Sequence, residues 1–403
     1  MSRTRSVLIS GASVAGPTLA FWLHRYGFRV TVVETAAGVR GGGYPIDLRG
    51  VAVDVVRRTG LLDRLTATRT RTRRITFVDA DGEPVGSLSP AALTGGAAED
   101  IELPRGSLTS ALHDITRDDV EYLFDDSVTA LDDRVDGVDV TFRGGTHRTF
   151  DLVIGADGLH STVRALAFGP EERYLHHLGY RFTGFTAPNR TDLDHEAVIW
   201  NVPGRMTTRY AVGHSDHVHA FFAFTSPPPT AGEPHDRDAT LRLTERTFAT
   251  DGWQTPQLLA DLRTATDVFS DTVSQIRMPT WSTGRVALTG DAAHATSFLA
   301  GQGTSLAVVG AYVLAGELAT HDNHTDAFTS YRRTLVDFVE RNQSLALGPN
   351  TLIPKTRTAL WLRNQTTRLL PLLTKTNLFG HNVTRAATSL SLPDYTPKTA
   401  EHR

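Results

Sequence analysis

Two hydrophobic rhythms divide the chain. Residues 6–10 (SVLIS) are a short apolar run with β-branched members, 11–17 (GASVAGP) are small, LAFWLHRYG at 19–27 is apolar up to its closing glycine, and RVTVVE at 29–34 is β-rich again. Short apolar runs bounded by turn residues read as strands and a longer apolar segment ending in Gly as a helix, so this stretch predicts a β-α-β unit. An apolar strand running into a Gly/Asp turn and a helix-like segment returns twice, in DLVIGADGLHSTVR (151–164) and in GRVALTGDAAHATSFLAGQGTSLA (284–307). Between about 173 and 276 the rhythm changes to alternation over EAVIWNV, TTRYAV and VHAFFAF, the signature of antiparallel strands with one buried face. The pattern predicts an α/β part at 1–172, a sheet insertion at 173–276, a return of the α/β part at 277–349 and a tail at 350–403, with 71–101 free to join the inserted sheet. In the tail, TLIPKTRTALWLRNQTTRLLPLLTK reads as a basic amphipathic packed helix that Pro371 stops or kinks; a helix lying on a membrane surface is the alternative.

Composition removes several classes of function. The 403 residues include no cysteine, which excludes disulfides, thiolate zinc sites, iron–sulfur clusters and cysteine nucleophiles. With 41 basic and 44 acidic side chains, the net charge of -3 gives no general reason for a nucleic-acid partner. The basic start MSRTRS is followed by too short an apolar run for a signal peptide, and the apolar run at 306–316 falls short of the roughly 20 residues of a membrane span. A cytoplasmic protein without stable membrane insertion, monomeric or homodimeric, is expected.

The first turn is open to two chemistries. As Gly11-x-Ser13-x-x-Gly16 it matches a dinucleotide turn in which Ser13 replaces the second glycine; Gly11 would allow the sharp turn, Gly16 the helix–strand packing, and Glu34 would take ribose hydroxyls. Pro17 is tolerated in the first helical turn. As a loose nucleophile elbow, Ser13 would instead serve a hydrolase, which needs Gly-x-Ser-x-Gly and acid and histidine partners downstream.

Together, the three turns in this order resemble the class A flavoprotein aromatic hydroxylases, the para-hydroxybenzoate hydroxylase-like monooxygenases that include tetracycline-modifying and polyketide-tailoring enzymes. The resemblance spans nearly the whole chain. It implies an α/β fold in which a Rossmann-like (GR2-type) FAD-binding domain carries an inserted antiparallel β-sheet substrate domain and a C-terminal helix. It assigns Gly11, Ser13, Val14, Gly16 and Glu34 to the cofactor, Arg105 of PRGSLTSAL to the flavin phosphates, Arg40, just before GGGYPIDL, to the cofactor, and Asp47 within that stretch to the flavin edge. Asp157 belongs to the element near the pyrophosphate, with a proposed secondary role toward NAD(P)H. Asp291 falls on the ribitol, and Gly301, Gln302 and Gly303 lead the helix that points at the pyrimidine. Exposed N–H groups at a helix start favour the negative charge a reduced flavin develops. Phe298 departs from the proline common there, placing an aromatic ring beside the expected flavin face. The Trp-x-Trp-x-Ile-Pro segment of halogenase relatives is missing from the sequence, and the third domain of the larger phenol-hydroxylase relatives is not expected.

The implied activity is FAD-dependent monooxygenation: NAD(P)H reduces the flavin, O2 adds at its C4a to give a hydroperoxide, and an oxygen atom passes to an aromatic or polyketide-like small molecule. No acid–base pair from the protein is required, because the cofactor carries the hard chemistry. A related reductase or dehydrogenase, or a flavin-containing protein that sequesters a ligand, would share the same motifs. Substrate-pocket candidates on the alternating strands are Arg209, Tyr210, Phe222 and Phe224, with Phe298 from the flavin side. His214, His217 and His219 are read as solvated rather than as a metal site, and TRTRTRR at 68–74 as a solvated strand edge.

Overall fold

The apolar run at 6–10 becomes β1 (Ser6–Ser10), buried along its whole length, and the turn after it leads into α1 (Ala15–Arg25) and back through β2 (Arg29–Val33). Burial on both faces is what a parallel sheet covered by helices demands. The computed structural model describes residues 4–39, 41, 43–95, 97, 99–229, 236–345, 352–373 and 378–395. In it β1 sits between β2 and β11 (Leu152–Gly155); β18 (Val286–Leu288) and β7 (Glu121–Leu123) extend the parallel sheet, and β17 (Ser282–Thr283) closes one edge antiparallel. One face carries α1, α10 (Gly303–Thr320) and α11 (His324–Ser344). By length and composition α10 could cross a membrane, but most of it is buried in this core.

Smaller elements frame the main sheet. The three-stranded sheet β8 (Val128–Asp133), β9 (Val138–Phe142) and β10 (His147–Phe150) precedes β11, and α6 (Thr162–Phe168) comes after it. The hairpin-like pair β3 (Pro45–Leu48) and β6 (Ile101–Pro104) brackets α2 (Val51–Thr59) and α3 (Leu62–Ala67) and delivers α5 (Arg105–Asp114).

A second sheet has the order β16 (Phe269–Ile276), β12 (Leu175–Pro188), β15 (His217–Thr225), β14 (Arg205–Tyr210), β13 (Glu196–Val202), β4 (Arg74–Val78), β5 (Pro84–Leu88). Two of its strands thus come from the stretch 71–101. It is antiparallel except where β13 and β4 run parallel, a departure from the expected purely antiparallel sheet. The basic run at 68–74 leads into β4, which lies between two strands and not at an edge; Arg74 is paired with Glu196 of β13 at 2.8 Å, and Thr70 and Thr72 bond Glu102. The outer face is covered by α7 (Arg237–Phe248) and α8 (Thr255–Thr264), whose Phe248, Leu258 and Leu262 pack on Phe185, Phe222 and Phe224.

The tail forms two helices. α12 (Arg357–Leu373) lies along β5 and runs two residues past Pro371, so that proline does not stop it where the sequence suggested, while α13 (Leu378–Ala387) packs on α11 and on the short α4 (Pro90–Thr94). Beyond them Tyr395 sets its hydroxyl 2.7 Å from Glu317 and its ring against Gly316, where a Cβ would lie 2.1 Å from the ring. Glycine at 316 is therefore what lets the tail close on α10. Replacing Tyr395 with Ala should cost about 3 kcal/mol, from lost aromatic burial and an unsatisfied acceptor; a denaturant midpoint unchanged from the parent would refute this anchoring.

Candidate active site

The three turns picked out in the sequence meet because their strands end at one level. In register, Ser10 pairs with Gly155 and Gly155 with Leu288. Each strand then enters a turn at the C-terminal edge of the sheet, where open α/β sheets bind their ligands. Together with the inner face of the second sheet, these turns enclose a cavity of about 740 Å³.

At the first turn, Gly11 has φ 108° and approaches the second turn so closely that a Cβ would lie 2.5 Å from the Ala156 carbonyl oxygen. A Cβ on Gly16 would lie 1.9 Å from the Gly11 oxygen, which explains the glycine in the first turn of α1; Gly16 supports the turn from behind and does not line the cavity. Ser13, Val14 and Glu34 do line it. The Glu34 carboxylate accepts from the backbone N–H of Ala12 at 2.8 Å and of Ala36 at 2.9 Å, which fixes it at the cavity's outer end. The Ser13 hydroxyl accepts a 2.6 Å hydrogen bond from the Arg105 guanidinium at the start of α5. A hydroxyl held by a cation rather than by a base is no activated nucleophile, so the hydrolase reading fails. The serine in the middle of the turn instead aims Arg105 across the cavity.

The second turn is held by charge that faces inward. Asp157 accepts from the Val163 N–H at 3.1 Å and from the Ser161 hydroxyl, and its burial pushes the carboxyl pKa up. Arg164, fully buried, donates to the Ala292 carbonyl at 3.0 Å and to Leu159, and pairs with Glu171. It thereby ties the second turn to the third. Glu171 also receives His160 Nδ1 at 2.8 Å, while His160 Nε2 lies 3.1 Å from Asp271 on β16. These hydrogen bonds, Asp271 first, raise the His160 pKa to about 10, against a smaller desolvation effect.

At the third turn α9 (Asp291–His294) presents Asp291 to the cavity. Water reaches this carboxylate through the cavity, yet protein surrounds the cavity on its other sides, so desolvation raises its pKa while Arg105 opposes that shift. His294 points away into the core beside Trp281, where burial pushes its pKa down to about 4 and keeps it neutral. Gly303 opens α10 next to Asp291, whose Oδ1 is 3.6 Å from the position of an added Cβ, and Gly301 is similarly 3.4 Å from Asp47 Oδ2. Asp47 pairs with Arg49 at 2.7 Å; burial raises its pKa and Arg49 opposes the rise. Gln302 is fully buried and does not line the cavity; both polar atoms of its amide lack a partner. Arg40 lies outside the described residues.

The substrate-side candidates divide by face. Tyr210 and Phe298 line the cavity, but Arg209, Phe222 and Phe224 lie on the opposite face of their strands: the two phenylalanines under α7 and α8, Arg209 against Thr191. Period-two alternation puts neighbours on opposite faces, so the sequence candidates mixed the two. The rings that face the cavity are Phe221 and Phe182, together with Tyr44 just before β3. Phe298 stacks on Phe182 at 4.3 Å and 12°, and Tyr44 lies 5.4 Å from Phe298 and 6.0 Å from Phe221. Burial raises the Tyr44 phenol pKa. No group of three or more His, Cys, Asp or Glu suited to a metal occurs among the described residues.

These features suit FAD. The glycine approach at Gly11 leaves backbone open to a pyrophosphate, Arg105 offers a cation to it, Glu34 offers acceptors to a ribose, and Asp291 faces the α10 N-terminus with the buried, unpartnered Thr296 hydroxyl nearby. A dinucleotide turn, two further turns at the same sheet edge and an overlying aromatic sheet define a flavoprotein of the two-layer monooxygenase kind. The chain belongs to the FAD binding domain family, which matches residues 4–341, and within it to the class A FAD-dependent hydroxylases. It is 45% identical over 344 residues to an uncharacterised protein of Mycobacterium tuberculosis, covering 85% of this chain and 92% of the relative. It is 35% identical over 348 residues to a flavin-dependent monooxygenase of Legionella longbeachae, covering 86% and 89%. The crystal structure of the tetracycline destructase Tet(55) matches with TM-score 0.84 and 34% identity over 98% of this chain and all of that one.

The geometry makes two outcomes measurable. Ser13→Ala removes the acceptor that aims Arg105 and should weaken FAD binding about tenfold, the equivalent of about 1.4 kcal/mol, as read by titration of the apoprotein with FAD; unchanged affinity would show that Ser13 is a filler only. For His160 the folded pKa lies above the unfolded value of about 6.5, so its contribution to stability is complete below that pH and is lost as pH rises through about 10. Its side chain is 57% exposed, so solvent screening keeps the effect small. The melting temperature of the parent should therefore fall, relative to His160→Gln, between those pH values; parallel profiles would contradict the assignment.

Proposed function

We propose that this protein is an NAD(P)H-dependent monooxygenase that hydroxylates an aromatic or polyketide-like small molecule of the kind represented by tetracyclines. The observation that carries the reading is the junction of two surfaces in one cavity: the flavin turns at Ser13, Asp157 and Asp291 open directly on the aromatic wall of Tyr44, Phe182, Phe221 and Phe298. Likeness to a flavin-dependent monooxygenase and to a tetracycline destructase supports it.

Bound FAD supplies the oxidation–reduction chemistry, accepting electrons from NAD(P)H and activating O2. The chain's own residues create the setting. Arg105, aimed by Ser13, holds phosphate charge, and Glu34 orients the ribose. The first N–H groups of α10 favour negative charge beside them, and Asp291 accepts a hydroxyl. The aromatic wall keeps water from the face where substrate enters and offers flat apolar surface to a ring system. Tyr210 reaches this wall with its hydroxyl bonded to Thr72, which in turn donates to Glu102 at 2.6 Å, so its hydroxyl already has a protein partner.

The test is direct. Purified FAD-loaded protein is supplied with NADPH or NADH, a tetracycline and a panel of aromatic polyketides, while O2 uptake and product mass are followed. The expected result is substrate-stimulated O2 uptake with a product carrying one added oxygen atom. Oxidation of NAD(P)H without O2 uptake would favour a reductase, and binding without stimulated turnover a sequestering protein.

A further inference from the structure

The segment between the third turn and α10 is held in an unusual way. Gln343, at the end of α11, donates from Nε2 to the carbonyls of Ala295 (3.1 Å) and Ile276 (2.8 Å), and the Ile276 N–H itself donates to Ala295 (3.2 Å). Gln275 on β16 donates to the carbonyls of Thr296 (3.1 Å) and Gln343 (2.7 Å), and its own Oε1 accepts from Arg277 at 2.8 Å. Both glutamines are buried. Two consecutive carbonyls of this segment are thus clamped from β16 and α11 by side-chain amides.

The next residue, Ser297, has φ 89° and ψ 154°. That region is essentially restricted to glycine, and a side-chain-bearing residue stays in it only where its surroundings over-determine the backbone. Its own hydroxyl does not hold it there, since Ser297 Oγ is buried without a partner. The clamp on residues 295 and 296 supplies the constraint, and Ser297 passes it on to its neighbour Phe298, delivered onto Phe182 at 4.3 Å.

We propose that Gln275 and Gln343 are positioning residues for substrate selection: by fixing the carbonyls of Ala295 and Thr296 they hold Ser297 in its left-handed conformation and so seat Phe298 on Phe182 as a wall of the substrate site. The selection half rests on the proposed function, with its aromatic substrate; the positioning half does not. The ligand class is a fused-ring system that lays a flat apolar face on this wall, because the wall presents rings at that point. A substrate branched on the face turned to this wall would meet rings that the clamp prevents from retreating.

The experiment separates the two halves. Fluorine NMR of the FAD-loaded enzyme carrying fluorophenylalanine, with the Phe298 resonance assigned through Phe298→Leu, reads ring placement without substrate. Gln343→Leu and, independently, Gln275→Leu should shift that resonance, and Ser297→Gly added to either should return it toward the parent, because glycine adopts the same conformation without strain. Tetracycline binding, read by quenching of protein fluorescence, should weaken about tenfold in each Gln→Leu variant and show no further loss when Gln343→Leu is added to Phe298→Ala, as residues acting through one another are non-additive. An unmoved Phe298 resonance in the variant that folds, or full additivity with Phe298→Ala, overturns the proposal. If the parent itself binds no tetracycline, the substrate reading fails, and a shifted resonance still establishes the clamp.

Discussion

The alignment of Ser10, Gly155 and Leu288 across three parallel strands is the constraint on which the site depends. Parallel pairing with this register places the ends of β1, β11 and β18 side by side, although more than 140 residues separate the first from the second in the chain. The turns after these strands then have no choice but to share one cavity. Small residues make the approach sterically open: a Cβ on Gly155 would lie 2.6 Å from a Leu288 methyl, and one on Gly11 would strike the Ala156 carbonyl. A slip of one residue in either pairing would pull the turns that carry Ser13, Asp157 and Asp291 out of line with one another.

Backbone register alone would not make the edge rigid, because turns open easily. The rigidity comes from charged side chains buried where they can only bond backbone or each other. Arg164 is the central case: its guanidinium spans from the Leu159 carbonyl to the Ala292 carbonyl and meets Glu171. Breaking such a buried cation loose leaves charge without water, which is far costlier than losing a surface pair. His160 then carries the same chain of contacts from Glu171 out to Asp271 on β16. The second sheet is thereby fastened to the flavin turns by one continuous polar line, beginning at the backbone next to Asp291.

The flavin side was legible in the sequence because it is built from local turns with characteristic residues. Gly11, Glu34, Asp157 and Asp291 each sit where a strand ends, and strand ends can be read from hydrophobic periodicity. Arg105 was legible only through the family resemblance, since nothing local links position 105 to position 13; the hydrogen bond between them explains why a serine replaces the expected glycine. The substrate side was less legible for a simple reason. Alternation reveals that VHAFFAF has two faces but does not say which one meets the cofactor, and covering helices made Phe222 and Phe224 as buried as any pocket residue. Phe182 and Phe221 could have been found only by knowing which face α7 and α8 cover. The glutamine clamp had no signal at all: Gln275 and Gln343 are ordinary residues until the fold brings one amide to each of two consecutive carbonyls.

This difference in legibility reflects a physical division of labour. The flavin turns must satisfy a cofactor of fixed shape, so backbone conformation and residue type are tightly prescribed at a few positions. On the proposed function the facing wall meets the substrate instead, and it forms where strand 269–276 and the segment 295–298 lie against each other. The second of these is the adjustable part. On the proposed clamp, a small change at Gln275 or Gln343 would shift the Phe298 ring without disturbing Asp291, whose neighbour Ala292 is held separately through Arg164. On the proposed reading, cofactor binding and substrate selection share one short stretch of chain, 291–303, but are anchored by different side chains, so either could vary while the other is kept.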